Sequence, residues 1–98
     1  MNVSFDKSLK IIEHYGNNHQ RYKAAEELSE LQTLILQDAN QNGKVPQNRI
    51  IEEIADVYVM LSQLKVIYKI DSRDIEPVID YKLDRTLKNI GEEENEWR

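Results

Sequence analysis

Cysteine is absent from this chain of 98 residues, and glycine, proline and tryptophan occur only three, two and one times. Without cysteine there is neither a disulfide framework nor a thiolate metal site, which suits a reducing cytoplasm. The longest uninterrupted apolar run, Val57–Leu61, is far shorter than the roughly 20 residues that span a bilayer. The N-terminus mixes acidic and basic residues and does not resemble a signal peptide. These absences predict a cytoplasmic protein with no membrane partner.

Positive charge is also scarce, since 13 basic residues face 18 acidic ones and leave a net charge of −5. Binding nucleic acid without regard to sequence requires a basic stripe, so no nucleic-acid partner is expected. An acidic protein that handles phosphates has to recruit a metal ion to do so. The length suffices for one small domain. We assign residues 1–98 to a single unit with its core at 15–90 and a flexible acidic tail at 91–98, in which Trp97 is a candidate anchor.

Hydrophobic spacing predicts an all-α fold with four helices. The first is expected from about Ser4 to Tyr15, stopped by Gly16, and the second from about His19 to Asp38. The turn residues between Asn40 and Pro46 then form the clearest break in the chain. Because this connection is short, the second and third helices should be antiparallel neighbours.

The third helix should end near Ile70, and a fourth is expected to begin at a cap formed by Asp71, Ser72 or Asp74. The inward residues of the fourth helix are predicted to be Ile75, Val78, Ile79, Leu83 and Leu87. The third helix has more apolar surface than one neighbouring helix can cover. That surplus, in a chain with a small core, favours self-association.

The third predicted helix carries a charge on its apolar side. At about 100° per residue its apolar residues form one broad face, made of Ile50, Ile54, Val57, Met60, Leu61, Leu64 and Tyr68. Glu53 falls inside this face, and no rotation of the helix buries its neighbours while leaving Glu53 in water. An unpaired carboxylate in a core costs several kcal/mol, so a cation, a network of donors or a proton must hold Glu53.

The second predicted helix has a similar acidic edge, with Glu27 and Glu30 beside its apolar stripe and Gln20 and Lys23 continuing the edge towards the N-terminus. Counted from the loop, Glu30 and Glu53 are about equally distant, so antiparallel packing places them at nearly the same height. A set of four carboxylates can then converge, namely Glu27, Glu30, Glu53 and Asp56. Such a set would repel itself at neutral pH unless it held a divalent cation, and oxygen ligands favour Mg²⁺ or Mn²⁺.

A plainer interpretation stands beside this one. Acidic pairs spaced by one helical turn are common, and in a chain with 32% charged residues most of them are solvated. Glu26 and Glu52, taken alone, fit that interpretation. Glu53 does not, because its position conflicts with the hydrophobicity of its neighbours, and such conflicts cluster at functional sites.

The two acidic segments, Glu26–Leu31 and Glu52–Val57, together resemble the EExxE…ExxD signature of the all-α nucleoside triphosphate pyrophosphohydrolases known as the MazG-like group. The spacing Gly16-x-x-x-Gln20-x-x-Lys23 and the pair Lys82-x-x-Arg85 also resemble positions that approach the nucleotide in that group. The resemblance covers roughly residues 15–87. It implies a four-helix unit that assembles as a homodimer or homotetramer.

The resemblance also implies an activity, the Mg²⁺-dependent hydrolysis of a nucleoside triphosphate to monophosphate and pyrophosphate. It implies that the four carboxylates hold Mg²⁺, with Mn²⁺ a possible substitute, and that Glu26 or Glu27 orients the attacking water. Substrate-binding positions would then be Gln20, Lys23, Lys82 and Arg85. Full-length MazG proteins carry two such domains whereas this chain has one, so their biological role does not transfer.

A second hypothesis stays open, in which the chain is a non-catalytic helical homodimer that binds a nucleotide, a metal or a protein through its acidic face. A carboxylate-bridged di-iron protein is a weaker third hypothesis, because that architecture uses Glu-x-x-His pairs and neither acidic pair is followed by histidine.

Overall fold

The structure, a computed structural model, describes residues 3–96 and consists of four helices without a strand in that range. Helix α1 spans Phe5–Tyr15, α2 Asn17–Asn40, α3 Gln47–Ile67 and α4 Ser72–Glu96. The all-α prediction is therefore confirmed. None of these helices is both long and apolar enough to cross a bilayer.

Local backbone chemistry explains where the first three helices begin and end. The side chain of Ser4 accepts a hydrogen bond from the Lys7 amide and caps α1. Only Gly16, with φ +92°, separates α1 from α2, so α2 begins two residues before the predicted His19. In the loop after α2, Asn42 and Gly43 both have positive φ, and the Asp38 carboxylate accepts a hydrogen bond from the Val45 amide. These contacts fix a short reversal of the chain.

Helices α2 and α3 form the main packing pair, and α1 lies against both of them. The pair is antiparallel, as predicted, because Gln20 near the start of α2 contacts Gln63 near the end of α3, and carboxylate oxygens of Glu30 and Glu53 lie within 4.8 Å of each other nearer the loop. The apolar core is small. Its buried members on the helices are Ile12, Ala24, Leu34, Val57, Met60 and Ile67.

Polar side chains complete this core. The Nε2 group of Gln20 donates to Oε1 of Gln63 at 2.6 Å, and both side chains are buried. Ser8 of α1 and Ser62 of α3 share a buried hydrogen bond at 3.3 Å. Because a buried amide must keep its partner, the Gln20–Gln63 pair fixes the register of α2 against α3.

Helix α4 does not complete a four-helix bundle within one chain. It buries none of its residues and packs extensively against none of the other helices. Four of its five predicted inward residues are exposed, with Ile79 at 49% and Leu83 at 59%. The Cα radius of gyration is 17.4 Å, against about 13 Å for a compact chain of this length. The predicted inward packing of α4 is wrong for a single chain.

The fourth helix is longer than its inward residues alone would require. It continues through Gly91 as far as Glu96, so the part of the predicted flexible acidic tail that the structure describes is helical. Pro77 is the sixth residue of the helix and lies beyond the first turn, where it removes one backbone hydrogen bond. Trp97, the candidate anchor, lies outside the described residues.

We expect Gln63→Leu to lower the free energy of unfolding by about 1–3 kcal/mol, because it leaves the buried Gln20 amide without an acceptor. The double variant Gln20→Leu/Gln63→Leu should recover part of that loss, since both buried polar groups are gone. Urea unfolding of the wild type, both single variants and the double variant measures the coupling. Additive losses would contradict a register-fixing pair.

Candidate metal site

Three carboxylates meet where α2 packs against α3. Glu27 and Glu30 lie one turn apart on α2, and Glu53 faces them from α3. One oxygen from each lies within 4.8 Å of the others. We call these three residues the acidic triad. The prediction that Glu30 and Glu53 lie level across the helix pair is confirmed.

Burial makes this arrangement costly. Glu27 is only 7% exposed and Glu53 is half-buried. Within residues 3–96, Glu27 Oε2 and Glu53 Oε2 are both shielded from solvent and have no hydrogen-bond partner. Glu53 could be stabilised by a cation, by a network of hydrogen-bond donors or by a proton. In the described residues no donor reaches Glu53 Oε2. A cation or a proton is left to stabilise it.

One cation of the chain already reaches the triad. Lys23 Nζ lies 3.1 Å from Glu27 Oε1, one turn earlier on α2. The hydrogen bond to Glu27, reinforced by the negative charge of Glu26, raises the pKa of Lys23. Lys23 therefore satisfies one oxygen of Glu27 and leaves the other, Oε2, available for a second positive charge.

Asp56, the fourth carboxylate of the predicted set, lies beside Glu27 and outside the group whose oxygens converge. Partial loss of surrounding water raises its pKa first, and the charge of Glu27 raises it further. The pKa of Glu30 is also raised, mainly by the charge of Glu27, then by partial burial and by Glu53. The charge of Glu27 therefore contributes to both shifts, as the main cause for Glu30 and as the second cause for Asp56.

The predicted nucleotide-binding residues are dispersed. Gln20 is buried in its pair with Gln63 and also hydrogen-bonded to His19 Nδ1 at 2.7 Å. Lys82 and Arg85 lie on α4, which packs extensively against neither helix of the triad. Glu26, the other candidate for orienting water, is exposed on α2. Of these residues, Glu26 and Lys23 are the ones whose charges act on the triad.

A cleft of about 320 Å³ opens beside the triad, between α2 and α3. Its lining consists of Ser29, Glu30, Thr33, Leu34, Gln37, Arg49 and Glu53. Sequence reasoning missed Arg49 although a signal was present, because Arg49 precedes Glu53 by four residues and so shares its helix face. A larger cavity near the start of α1 contains Lys65 and Lys69 but none of the triad. The smaller cleft is therefore the candidate functional site, because Glu30 and Glu53 of the triad line it.

No protein family, curated protein or solved structure matches this chain. Its function must therefore be inferred from the geometry and chemistry of the acidic triad and the adjoining cleft.

Without metal, we expect the free energy of unfolding to rise as the pH falls from neutral towards the ordinary carboxyl pKa values of Glu30 and Asp56, 4.5 and 3.8. The folded-state pKa values of Glu30 and Asp56 lie above their ordinary values of 4.5 and 3.8. The folded chain therefore takes up protons before the unfolded chain does, and protonation relieves the repulsion within the acidic site. The opposite contribution, from the lowered pKa of Asp71 beside Arg73, acts only at more acidic pH.

Urea unfolding in EDTA across this range measures the effect, and Glu30→Gln is the matched variant. Its stability should rise less steeply as the pH falls, because one of the two groups no longer titrates. Equal slopes for the wild type and Glu30→Gln would contradict this account of the triad.

Proposed function

We propose that the acidic triad binds a divalent cation and that the chain hydrolyses a nucleoside triphosphate to a monophosphate and pyrophosphate. The observation that carries the proposal is the pair of buried oxygens without donors, Glu27 Oε2 and Glu53 Oε2, beside a third carboxylate. A solvated acidic face would not bury them. The resemblance to MazG-like pyrophosphohydrolases supplies the reaction.

The donor set fits Mg²⁺ or Mn²⁺. All three groups are carboxylates, oxygen is the ligand that these hard cations prefer, and within residues 3–96 no histidine joins the group. Glu27, Glu30 and Glu53 would hold the ion, with Asp56 adjacent to it. Such an ion would offset the charge of the carboxylates and of a polyphosphate at the same place.

The reaction requires a nucleophile and a proton acceptor. Water oxygen attacks the α-phosphorus, the bond to the oxygen that bridges α and β breaks, and pyrophosphate leaves with that electron pair. A carboxylate takes the proton from the water, and the resemblance assigns this role to Glu26 or Glu27. Lys23 would orient Glu27 through their ion pair.

We also propose that the chain works as a homodimer or homotetramer. The apolar side of α4 is exposed, and so are Ile51 and Tyr58 on α3. Association of copies would bury both surfaces, at a gain of about 25 cal/mol for each Å² of apolar area. Lys82 and Arg85 would then reach an acidic triad from a neighbouring copy.

The alternative is a non-catalytic homodimer that binds a nucleotide, a metal or a protein through the acidic face. The Lys23–Glu27 pair favours it, because the chain already neutralises part of its own site. A panel of nucleoside triphosphates assayed for pyrophosphate with Mg²⁺, Mn²⁺ or EDTA separates the two functions. Metal-dependent release supports the enzyme, whereas binding without release supports the alternative.

For Glu53→Gln we expect loss of most hydrolysis, with stability in EDTA equal to or above that of the wild type. Gln keeps the shape but removes one of the crowded charges and one metal ligand. Mg²⁺ should raise the melting temperature of the wild type far more than that of Glu53→Gln, since ligand binding to the folded state stabilises it. Glu52→Gln is the matched control, because Glu52 is exposed on the same helix.

The contrary result is equally specific. If Glu53→Gln is destabilised in EDTA yet still active, Glu53 is a structural partner of a buried cation. That result would contradict the proposed metal site. A melting temperature of the wild type that does not change in millimolar Mg²⁺ or Mn²⁺ would also contradict the metal site.

For the assembly, we expect light scattering of the wild type to give a dimer or tetramer, and Ile79→Glu to lower the mass to that of a monomer. Ile79 lies at the centre of the apolar side of α4, where a charge cannot be buried cheaply. Tyr81→Glu, on the opposite side of the same helix, is the control and should retain the wild-type mass. A monomeric, well-folded wild type at micromolar concentration would contradict the proposal.

A further inference from the structure

The cleft beside the acidic triad contains an arginine whose side chain has no partner of its own. Arg49 is exposed in the first turn of α3, and within residues 3–96 its guanidinium forms neither an ion pair nor a hydrogen bond. Glu53 follows one turn later and lines the same cleft. Arg49 is therefore a free cation beside the acidic triad.

The remaining walls of the cleft are suited to an anion with many oxygens. Ser29 and Gln37 provide a hydroxyl and an amide group along α2, and Leu34, only 3% exposed, lies at the base between the helices. The Thr33 hydroxyl donates to the Ser29 carbonyl oxygen at 3.0 Å and is therefore not a free donor to the cleft. In the described range the Gln37 side chain has no partner, so its amide is free to donate.

The other cations near the triad do not occupy this position. Lys23 lies on the N-terminal side of Glu27 and is held by it. Lys82 and Arg85 do not line the cleft. Three carboxylates would repel a polyphosphate that approached them. Its binding therefore requires one positive charge on the triad and another at the far end of the cleft.

We propose that this cleft binds the phosphate chain of a nucleoside triphosphate, with Arg49 contacting the β- and γ-phosphates that leave as pyrophosphate. The assignment rests on the proposed function, because it requires a metal ion on the triad. That ion would bind the opposite end of the phosphate chain. Arg49 and Glu53 lie about 6 Å apart along the helix axis. That spacing lets the guanidinium and the ion on the triad contact different phosphate groups of one substrate.

The size of the cleft and the chemistry of arginine agree with this assignment. About 320 Å³ is at the small end of ligand sites, so the cleft holds the phosphates while the nucleoside extends beyond it. A guanidinium forms paired hydrogen bonds with phosphate oxygens, which lysine cannot do. Contact with the leaving group also stabilises the negative charge that develops as the bond to the α-phosphate breaks.

Inorganic pyrophosphate is the probe, and calorimetry in the presence of Mg²⁺ measures its binding to the full chain. We expect Arg49→Gln to weaken pyrophosphate binding about 10- to 100-fold, the range for losing a hydrogen bond to a charged group. Arg49→Lys should recover only part of the affinity. Lys44→Gln removes one exposed positive charge five residues earlier, outside the cleft, and should bind within about twofold of the wild type.

The outcomes separate this proposal from the proposed function. In Arg49→Gln the shift of melting temperature caused by Mg²⁺ alone should be retained, because the triad is intact. If the wild type hydrolyses triphosphates and Arg49→Gln matches Lys44→Gln in turnover, KM and pyrophosphate affinity, the Arg49 assignment is overturned and the function stands. If the wild type binds Mg²⁺ but neither hydrolyses triphosphates nor binds pyrophosphate, both are overturned.

Discussion

Repulsion between carboxylates at the contact of α2 with α3 is the constraint on which the rest of the structure depends. The two helices bury Glu27 and partly bury Glu53 at a level where Glu30 adds a third negative charge. Lys23 offsets one charge and no more. A core designed for stability alone would place apolar residues here, since they pack at no electrostatic cost. The acidic triad is therefore a feature that stability does not explain, whereas the proposed cation-binding function would explain it.

Other contacts must hold α2 and α3 together against this repulsion. Below the triad, away from the loop, Ala24, Val57 and Met60 supply apolar packing, and the Gln20–Gln63 pair fixes the register. The short loop after α2 limits sliding at the other end. With both ends fixed, the carboxylates keep their positions although they repel each other. This preorganisation is what a metal site requires, because ligands already in place need not be gathered when the ion binds.

The sequence allowed the helices and the acidic triad to be predicted because both follow from local periodicity. Glu53 was recognisable as a charge on an apolar face, and counting residues from the loop placed Glu30 opposite it. Two other features depend on information that periodicity lacks. Gln20 lay on the same helix edge as Lys23, but only the packing of α3 shows that its amide is buried against Gln63. Arg49 shared the face of Glu53, yet only the packing of α2 against α3 shows that the two residues line a common cleft.

The packing of α4 could not be predicted for a related reason. Periodicity identifies an apolar side correctly but does not say whether the same chain covers it. In α4 that side also contains Lys82, which lies one turn after Val78, and Arg85 lies at its edge. A cation within an apolar stripe is costly to bury unless an anion meets it. The acidic triad, with too few cations of its own, offers such an anion. The charge that α4 exposes is thus complementary to the charge that α2 and α3 leave unbalanced, and in the proposed homodimer or homotetramer a second copy of the chain would satisfy both.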